Sequence, residues 1–254
     1  MQTARRRLAL ALDPALLAEG AGFVSLDPWQ RDVLQDRDRN VLLNCSRQSG
    51  KSTVSALLAV DALLHRDNAL VLIASPTLRQ SQELARKVRA ILDALGELSP
   101  PTKQESTLSL ELVTGARLVC LPGTETSARS WSAVSTLIVD EASRCADALY
   151  HALRPVLATS RGRVVLLSTP HGRRGFFYNE WVDGVNWHRV RITAHECSRI
   201  DPAWLAEERA SLPAHVFSAE YLCEFMDDNA AVFGAQYIQA AMRDDVRPLW
   251  GTAA

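Results

Sequence analysis

Val41-Leu42-Leu43-Asn44-Cys45-Ser46-Arg47-Gln48-Ser49-Gly50-Lys51-Ser52-Thr53 decides how the chain is read. The apolar run predicts a buried strand. The small polar residues after it predict a tight loop that closes on Gly-Lys-Ser where a helix begins. That combination grips phosphate. Gly50 lets backbone N–H groups reach phosphate oxygens that a Cβ would hold off. Lys51 brings a compact charge to the β- and γ-phosphates of ATP, and the Ser52 hydroxyl can complete a Mg²⁺ shell. The helix starting near Lys51 adds the positive end of its dipole. Ser46, Arg47, Gln48, Ser49 and Thr53 are the other cradle candidates. One position departs from the usual pattern, which opens with Gly where this chain has Cys45.

Three further runs share the character of Val41-Leu42-Leu43: Val71-Leu72-Ile73, Leu137-Ile138-Val139 and Val164-Val165-Leu166-Leu167. Continuously apolar strands are buried on both faces, as in a parallel sheet covered by helices. Helical patterns alternate with them, notably at 51–65, at 84–95 and at 146–158, so the expected fold is a doubly wound α/β domain with a mainly parallel sheet. Asp27-Pro28-Trp29-Gln30 opens a helix, with Asp27 as cap and Pro28 in the first turn. Thr107–Val113 and Arg117–Leu121 alternate around Thr114-Gly115 and predict a β-hairpin. Residues 1–26 are expected to be an N-terminal extension, 27–225 the domain built around the phosphate loop, and 226–254 a tail. Trp187 and Trp204 are expected in the core.

With 254 residues and 47% hydrophobic composition, the chain can bury a substantial core. A net charge of −1 excludes a global electrostatic attraction to nucleic acid, so such contacts would come from local patches. Arg173-Arg174 and Arg161 with Arg163 are such patches. Five scattered cysteines without a Cys-x-x-Cys pair fit reduced thiols better than zinc or disulfides. The basic start followed by Leu8–Leu12 is cut by Asp13-Pro14, too early for an export signal. No run has the length of a membrane span, so cytoplasm is the expected location and no membrane partner is foreseen.

Leu137-Ile138-Val139-Asp140-Glu141 supplies the partner of the phosphate loop. An apolar strand delivers two carboxylates at its C-terminal end, where open α/β sheets bind ligands. Asp140 can hold Mg²⁺, and Glu141 can orient and deprotonate the water that attacks the γ-phosphate. The plainer reading, two acids at a helix N-terminus, loses ground because the phosphate loop is also present.

These features together resemble the N-terminal ATPase of the large terminase subunit of tailed phages, the motor that packages viral DNA. Asp27-Pro28-Trp29-Gln30 is similar to that family's adenine-contacting segment, and Arg47 to Ser52 to its phosphate loop. Ala74-Ser75-Pro76-Thr77 and Asp140-Glu141-Ala142 match the segments after two strands. Ser168-Thr169-Pro170 resembles the motif that senses the γ-phosphate, so Thr169 joins the nucleotide-contacting candidates. The resemblance implies a P-loop NTPase fold of the ASCE/RecA-like kind and Mg²⁺-dependent ATP hydrolysis. It also implies partners: double-stranded DNA, a phage portal and prohead, a small terminase subunit, and a ring of identical subunits inside the bacterial host.

Two arginines become catalytic candidates alongside Glu141. Arg47 can neutralise charge on the γ-phosphate of its own subunit, and the resemblance makes Arg129 a finger inserted into a neighbour's site. A surface salt bridge is the alternative for each. Trp29 either stacks on the nucleotide or staples the helix start, and His171 either touches phosphate or is solvated. The family normally continues into a ribonuclease-H-like nuclease domain. The stretch 224–234 resembles the hinge into it, and Asp244-Asp245 is too small an acidic cluster for a two-metal site. ATP hydrolysis without DNA cleavage is therefore the expectation. The rival readings are a helicase-like translocase and a non-catalytic remnant that binds nucleotide or DNA.

Overall fold

The computed structural model describes residues 2–22, 25–66, 68–123 and 130–226. Arg129 and the tail from 227 onward, both singled out in the sequence, lie outside the described residues. At the centre is one eight-stranded sheet: β1 (Asn40–Cys45), β2 (Leu70–Ala74), β3 (Thr102–Glu105), β4 (Ser109–Leu112), β5 (Arg117–Cys120), β6 (Thr136–Asp140), β7 (Arg163–Ser168) and β8 (Trp187–Ile192). Their order is β3-β4-β5-β2-β6-β7-β1-β8. The pairs from β5 through to β8 are all parallel. Only β3–β4 and β4–β5 are antiparallel. The predicted hairpin is β4–β5. It adds to the edge of the main sheet and carries a further strand, β3, whose four residues are all exposed and gave no periodic signal.

The continuous apolar runs have the predicted cause. Alternate residues of each strand enter opposite cores: Val41, Leu43, Val71, Ile73, Val165 and Leu167 on one face, Leu42, Leu70, Leu72, Val164 and Leu166 on the other. Helices α1 (Gln2–Leu12), α2 (Leu16–Gly20), α3 (Pro28–Gln35), α4 (Lys51–His65) and α5 (Leu78–Leu95) cover the first face. Helices α6 (Asp147–Leu153) and α7 (Gly175–Val182) cover the second. Leu10, Leu17 and Ala18 of the N-terminal segment bury in the same core as β1. A small third cluster, Leu205, Phe217 and Tyr221 with Ala194, joins α8 (Pro202–Ser211) to α9 (Ala214–Leu222). Trp187 is buried as expected. Trp204 is not: it is 44% exposed, its ring lying edge-on to Tyr221 at the rim of that cluster.

Parallel register sets up the edge from which the candidate site residues emerge. Leu42 pairs with Leu166 and Asn44 with Ser168, while Val139 pairs with Leu166 and Asp140 with Leu167. The C-terminal ends of β1, β7 and β6 are therefore level, two strand spacings or about 10 Å from first to last. No described helix is long and apolar enough to cross a membrane.

At the opposite edge, the turn into β1 is tied by Asp36. Burial raises its carboxyl, but N–H groups of Arg39 and Asp38 and the side chains of His188 and Arg39 outweigh that, bringing its pKa from 3.8 to about 2. A carboxylate lowered in this way stabilises the fold above its ordinary pKa and loses that contribution as pH falls from about 4 to about 2. Asp36→Asn should therefore lower the unfolding free energy by about 1–2 kcal/mol at neutral pH and leave little difference near pH 2. Urea unfolding at both pH values measures this; an equal loss at both would assign the effect to packing.

Candidate active site

The loop after β1 is built from strand, turn and helix start. Cys45 is still strand, paired with Ile192 of β8, and its φ is not positive. That explains why glycine is not needed there. The left-handed conformations fall at Gln48 (φ 61°) and Gly50 (φ 93°). Gly50 is required on two grounds: its φ, and the fact that a Cβ would stand 2.5 Å from Gln30 Nε2 and 3.2 Å from an Arg199 nitrogen. Ser46 and Ser49 are fully buried. The Ser46 carbonyl accepts from the Ser49 hydroxyl at 2.8 Å and from Lys51 Nζ at 3.3 Å. The Lys51 ammonium is thus folded back over the loop, 7% exposed. Ser52 and Thr53 form the first turn of α4 and line the hollow above the loop.

That hollow has a volume of about 410 Å³ and is lined by Arg47, Gln48, Gly50, Lys51, Ser52, Thr53, Lys87 and Arg199. Four cations line it, Arg199 paired with Asp27 and Arg47 with Glu220 from outside the hollow, and no carboxylate lines it, which suits a polyanion. Sequence reading missed two of the four. Lys87 sits on α5 among alternating charges and reads as a solvated face. Arg199 lies far along the chain in a stretch without periodicity. It donates to Asp27 at 2.7 and 3.2 Å and to the Ser49 carbonyl at 2.6 Å, so it clips the α3 cap to the phosphate loop.

Asp27 and Gln30 cap α3 reciprocally. Gln30 is 3% exposed, and its side-chain oxygen accepts from the Asp27 N–H at 2.9 Å. Its amide nitrogen faces Gly50, so the adenine-reading candidate touches the phosphate loop. Trp29 is half-buried and packed against the core, as a staple at the helix start would be.

Asp140 and Glu141 emerge beside the loop, beyond β7. Burial first, and the neighbouring Glu141 charge second, push the Asp140 pKa from 3.8 to about 6, against the pull of Lys51. A divalent cation would offset that cost. The Asp140 carboxylate and the Ser52 hydroxyl are both oxygen donors of the kind Mg²⁺ takes. Ser46 also keeps a buried hydroxyl with no hydrogen-bond partner, at the floor of the loop. Glu141 is held in a left-handed conformation, φ 49°. For a non-glycine residue this is strain of the kind found at functional sites. Its carboxylate lies 3.4 Å from the Ser168 hydroxyl. That hydroxyl is 2.7 Å from Ser143 Oγ, which donates to the Thr169 carbonyl at 2.7 Å. Ser143, unremarked in the sequence, thus joins the acidic pair to Ser168-Thr169.

Arg47 points elsewhere. Its Nε donates to Glu220 Oε2 of α9 at 2.7 Å, and Arg144 holds the other Glu220 oxygen at 2.9 Å. Burial raises the Glu220 carboxyl, but Arg47, Arg144 and the Thr169 side chain together keep it below its ordinary value. Thr169 is fully buried there. His171 stands at 3.5 Å from Arg144, in a separate cleft of about 290 Å³. Gly50→Ala should cost about 1–3 kcal/mol of stability and remove nucleotide binding together. Urea unfolding and titration with a fluorescent nucleotide test this; normal affinity would mean that the loop does not need its left-handed turn.

A sequence profile described as "Terminase large subunit, T4likevirus-type, N-terminal" matches residues 42–240. The large terminase subunit of Escherichia phage T5 is 25% identical over 210 residues, covering 80% of this chain and 48% of that protein. Among solved structures, the large terminase ATPase domain of Thermus phage P74-26 superposes with a TM-score of 0.72 at 21% identity, covering 82% of this chain and 97% of that one. A large terminase from a thermophilic bacteriophage, solved in complex with ADP, gives 0.62 at 11% identity, covering 83% and 53%. The chain spans about half the length of the curated relatives it matches.

Proposed function

This chain belongs to the terminase large-subunit family, and from that premise we propose that it is a Mg²⁺-dependent ATPase that drives double-stranded viral DNA into a prohead. One convergence supports the reading: the four-cation phosphate cradle after β1 and the Asp140-Glu141 pair after β6 flank the same strand, β7. Asp140 feels the Lys51 charge and Arg47 feels that of Glu141, as a single site requires. The ADP complex of the solved thermophilic-phage terminase supports a nucleotide as the ligand.

The chemistry assigned to the residues is as follows. Loop N–H groups and Lys51 hold the β- and γ-phosphates, with Lys87 and Arg199 adding positive field. Asp140 and Ser52 would hold Mg²⁺, which when bound would supply neutralising charge at the phosphate oxygens. Glu141 accepts a proton from water as the water oxygen bonds to the γ-phosphorus and the bond to the ADP oxygen breaks. The Ser143–Ser168 pair positions Glu141, and Thr169 reports phosphate occupancy through Glu220. Gln30 and Trp29 border the base. Arg47 reaches the γ-phosphate only by leaving Glu220, and Arg129 completes a neighbour's site in a ring of identical subunits. The portal and prohead, the small terminase subunit and the host cytoplasm follow as partners and setting.

Lys51→Ala should abolish ATP binding. Glu141→Gln should keep binding but slow phosphate release about 10²–10⁴-fold. Steady-state phosphate release with Mg²⁺-ATP and DNA, beside nucleotide titration, separates the two; equal turnover in Glu141→Gln and the parent would leave a binding module. Mixing Arg129→Ala with Glu141→Gln should restore part of the turnover that each lacks alone. Absence of rescue in assembled protein removes the trans finger.

A further inference from the structure

The strongest uncommitted feature lies at the other end of the sheet, beneath the N-terminal ends of β1 and β7. We propose that the hollow formed there by Arg37, Arg66, Arg154, Arg161 and Arg163 is a second phosphate-binding site, separate from the nucleotide loop. Helix α4 separates the two: Lys51 opens it and Arg66 caps its far end, about 22 Å away at 1.5 Å per residue. The hollow has a volume of about 390 Å³.

Charge is the first argument. Five arginines line the hollow against one carboxylate, Asp38, in a chain of net charge −1. The other acids nearby are engaged. Asp36 is held by Arg39 and His188, and Asp61 by His65 at 2.9 Å with Arg37 at 3.4 Å. No carboxylate among the described residues pairs with Arg66, Arg154, Arg161 or Arg163. Clustered arginines of this kind repel one another unless an anion lies between them.

Geometry is the second. Arg163 Nε donates to the Arg39 carbonyl at 2.7 Å, yet its Nη2 is buried without a partner. A buried donor left unmade is costly, and only a turn of the guanidinium toward the hollow would bring it to an oxyanion there. Burial, joined by the nearby Arg66 charge, pulls the Arg163 pKa down to about 10, and the carboxylates of Asp36, Asp61 and Asp38 offset this only in part. Gly162 leaves no room for a Cβ against the Val134 carbonyl, and Arg161 is held at φ 49°. The turn therefore fixes the backbone from which the two arginine side chains leave. Arg154 rests over the Tyr150 ring at 5.8 Å, which places it without using an N–H donor. Planar forks converging from β7, the α6 end and the α4 end match a tetrahedral phosphate oxyanion. A polynucleotide strand and free phosphate both carry that group. The inference does not depend on ATP hydrolysis.

The test uses the exposed pair Arg154→Gln/Arg161→Gln in the full chain, whose melting temperature and ATP turnover should match the parent. A fluorescent DNA duplex and inorganic phosphate are titrated separately, both in a Lys51→Ala background that weakens the nucleotide loop equally in the parent and the double variant. If the phosphate is carried by a polynucleotide, duplex affinity falls about tenfold and the slope of log affinity against log salt falls by about two. Arg161→Lys should keep most of that slope. If the source is free phosphate, duplex affinity is unmoved while phosphate-induced thermal stabilisation disappears. Should the double variant bind both probes as the parent does, or should neither probe bind the parent, the site does not exist.

Discussion

The register between β1, β7 and β6 is the constraint on which the rest depends. Because Asn44 pairs with Ser168 and Asp140 with Leu167, three loops leave the sheet at one level. Each strand contributes what its own sequence can: a phosphate cradle, a hydroxyl pair, two acids. A slip of one residue in a parallel pair would turn every apolar side chain to the wrong core and move Asp140 off the ligand edge. The two buried cores hold that register, so the stability of the sheet and the geometry of the site are one property.

Around this edge the chain stores charge in a resting arrangement. Lys51 is folded onto the Ser46 carbonyl, Arg47 onto Glu220, and Asp140 is pushed toward its neutral form. Glu220 is the meeting point, since it receives Arg47 from the loop, Arg144 from beyond the acidic pair, and Thr169 from β7. Helix α9 is thereby tied to three of the loops that leave this edge.

The fold was legible in the sequence because continuous apolar runs have only one common structural cause, burial on both faces. The phosphate loop and acidic pair were legible because each requires particular residues in sequence order. Arg199, Lys87, Glu220 and Ser143 were not, since each meets the site through tertiary folding alone. Strand β3 was missed for a related reason: all four residues are exposed, and pairing with β4 rather than patterning makes it a strand. Trp204, expected in the core, lies instead at the rim of a small cluster that leaves it exposed.

A crystal structure of this chain with Mg²⁺ and a non-hydrolysable ATP analogue tests the central claim most directly. The account predicts the triphosphate across residues 46–53, Lys51 Nζ on its β- and γ-oxygens, and the metal between Ser52 and Asp140. A nucleotide bound away from that loop, or a metal without Asp140 near it, would contradict it.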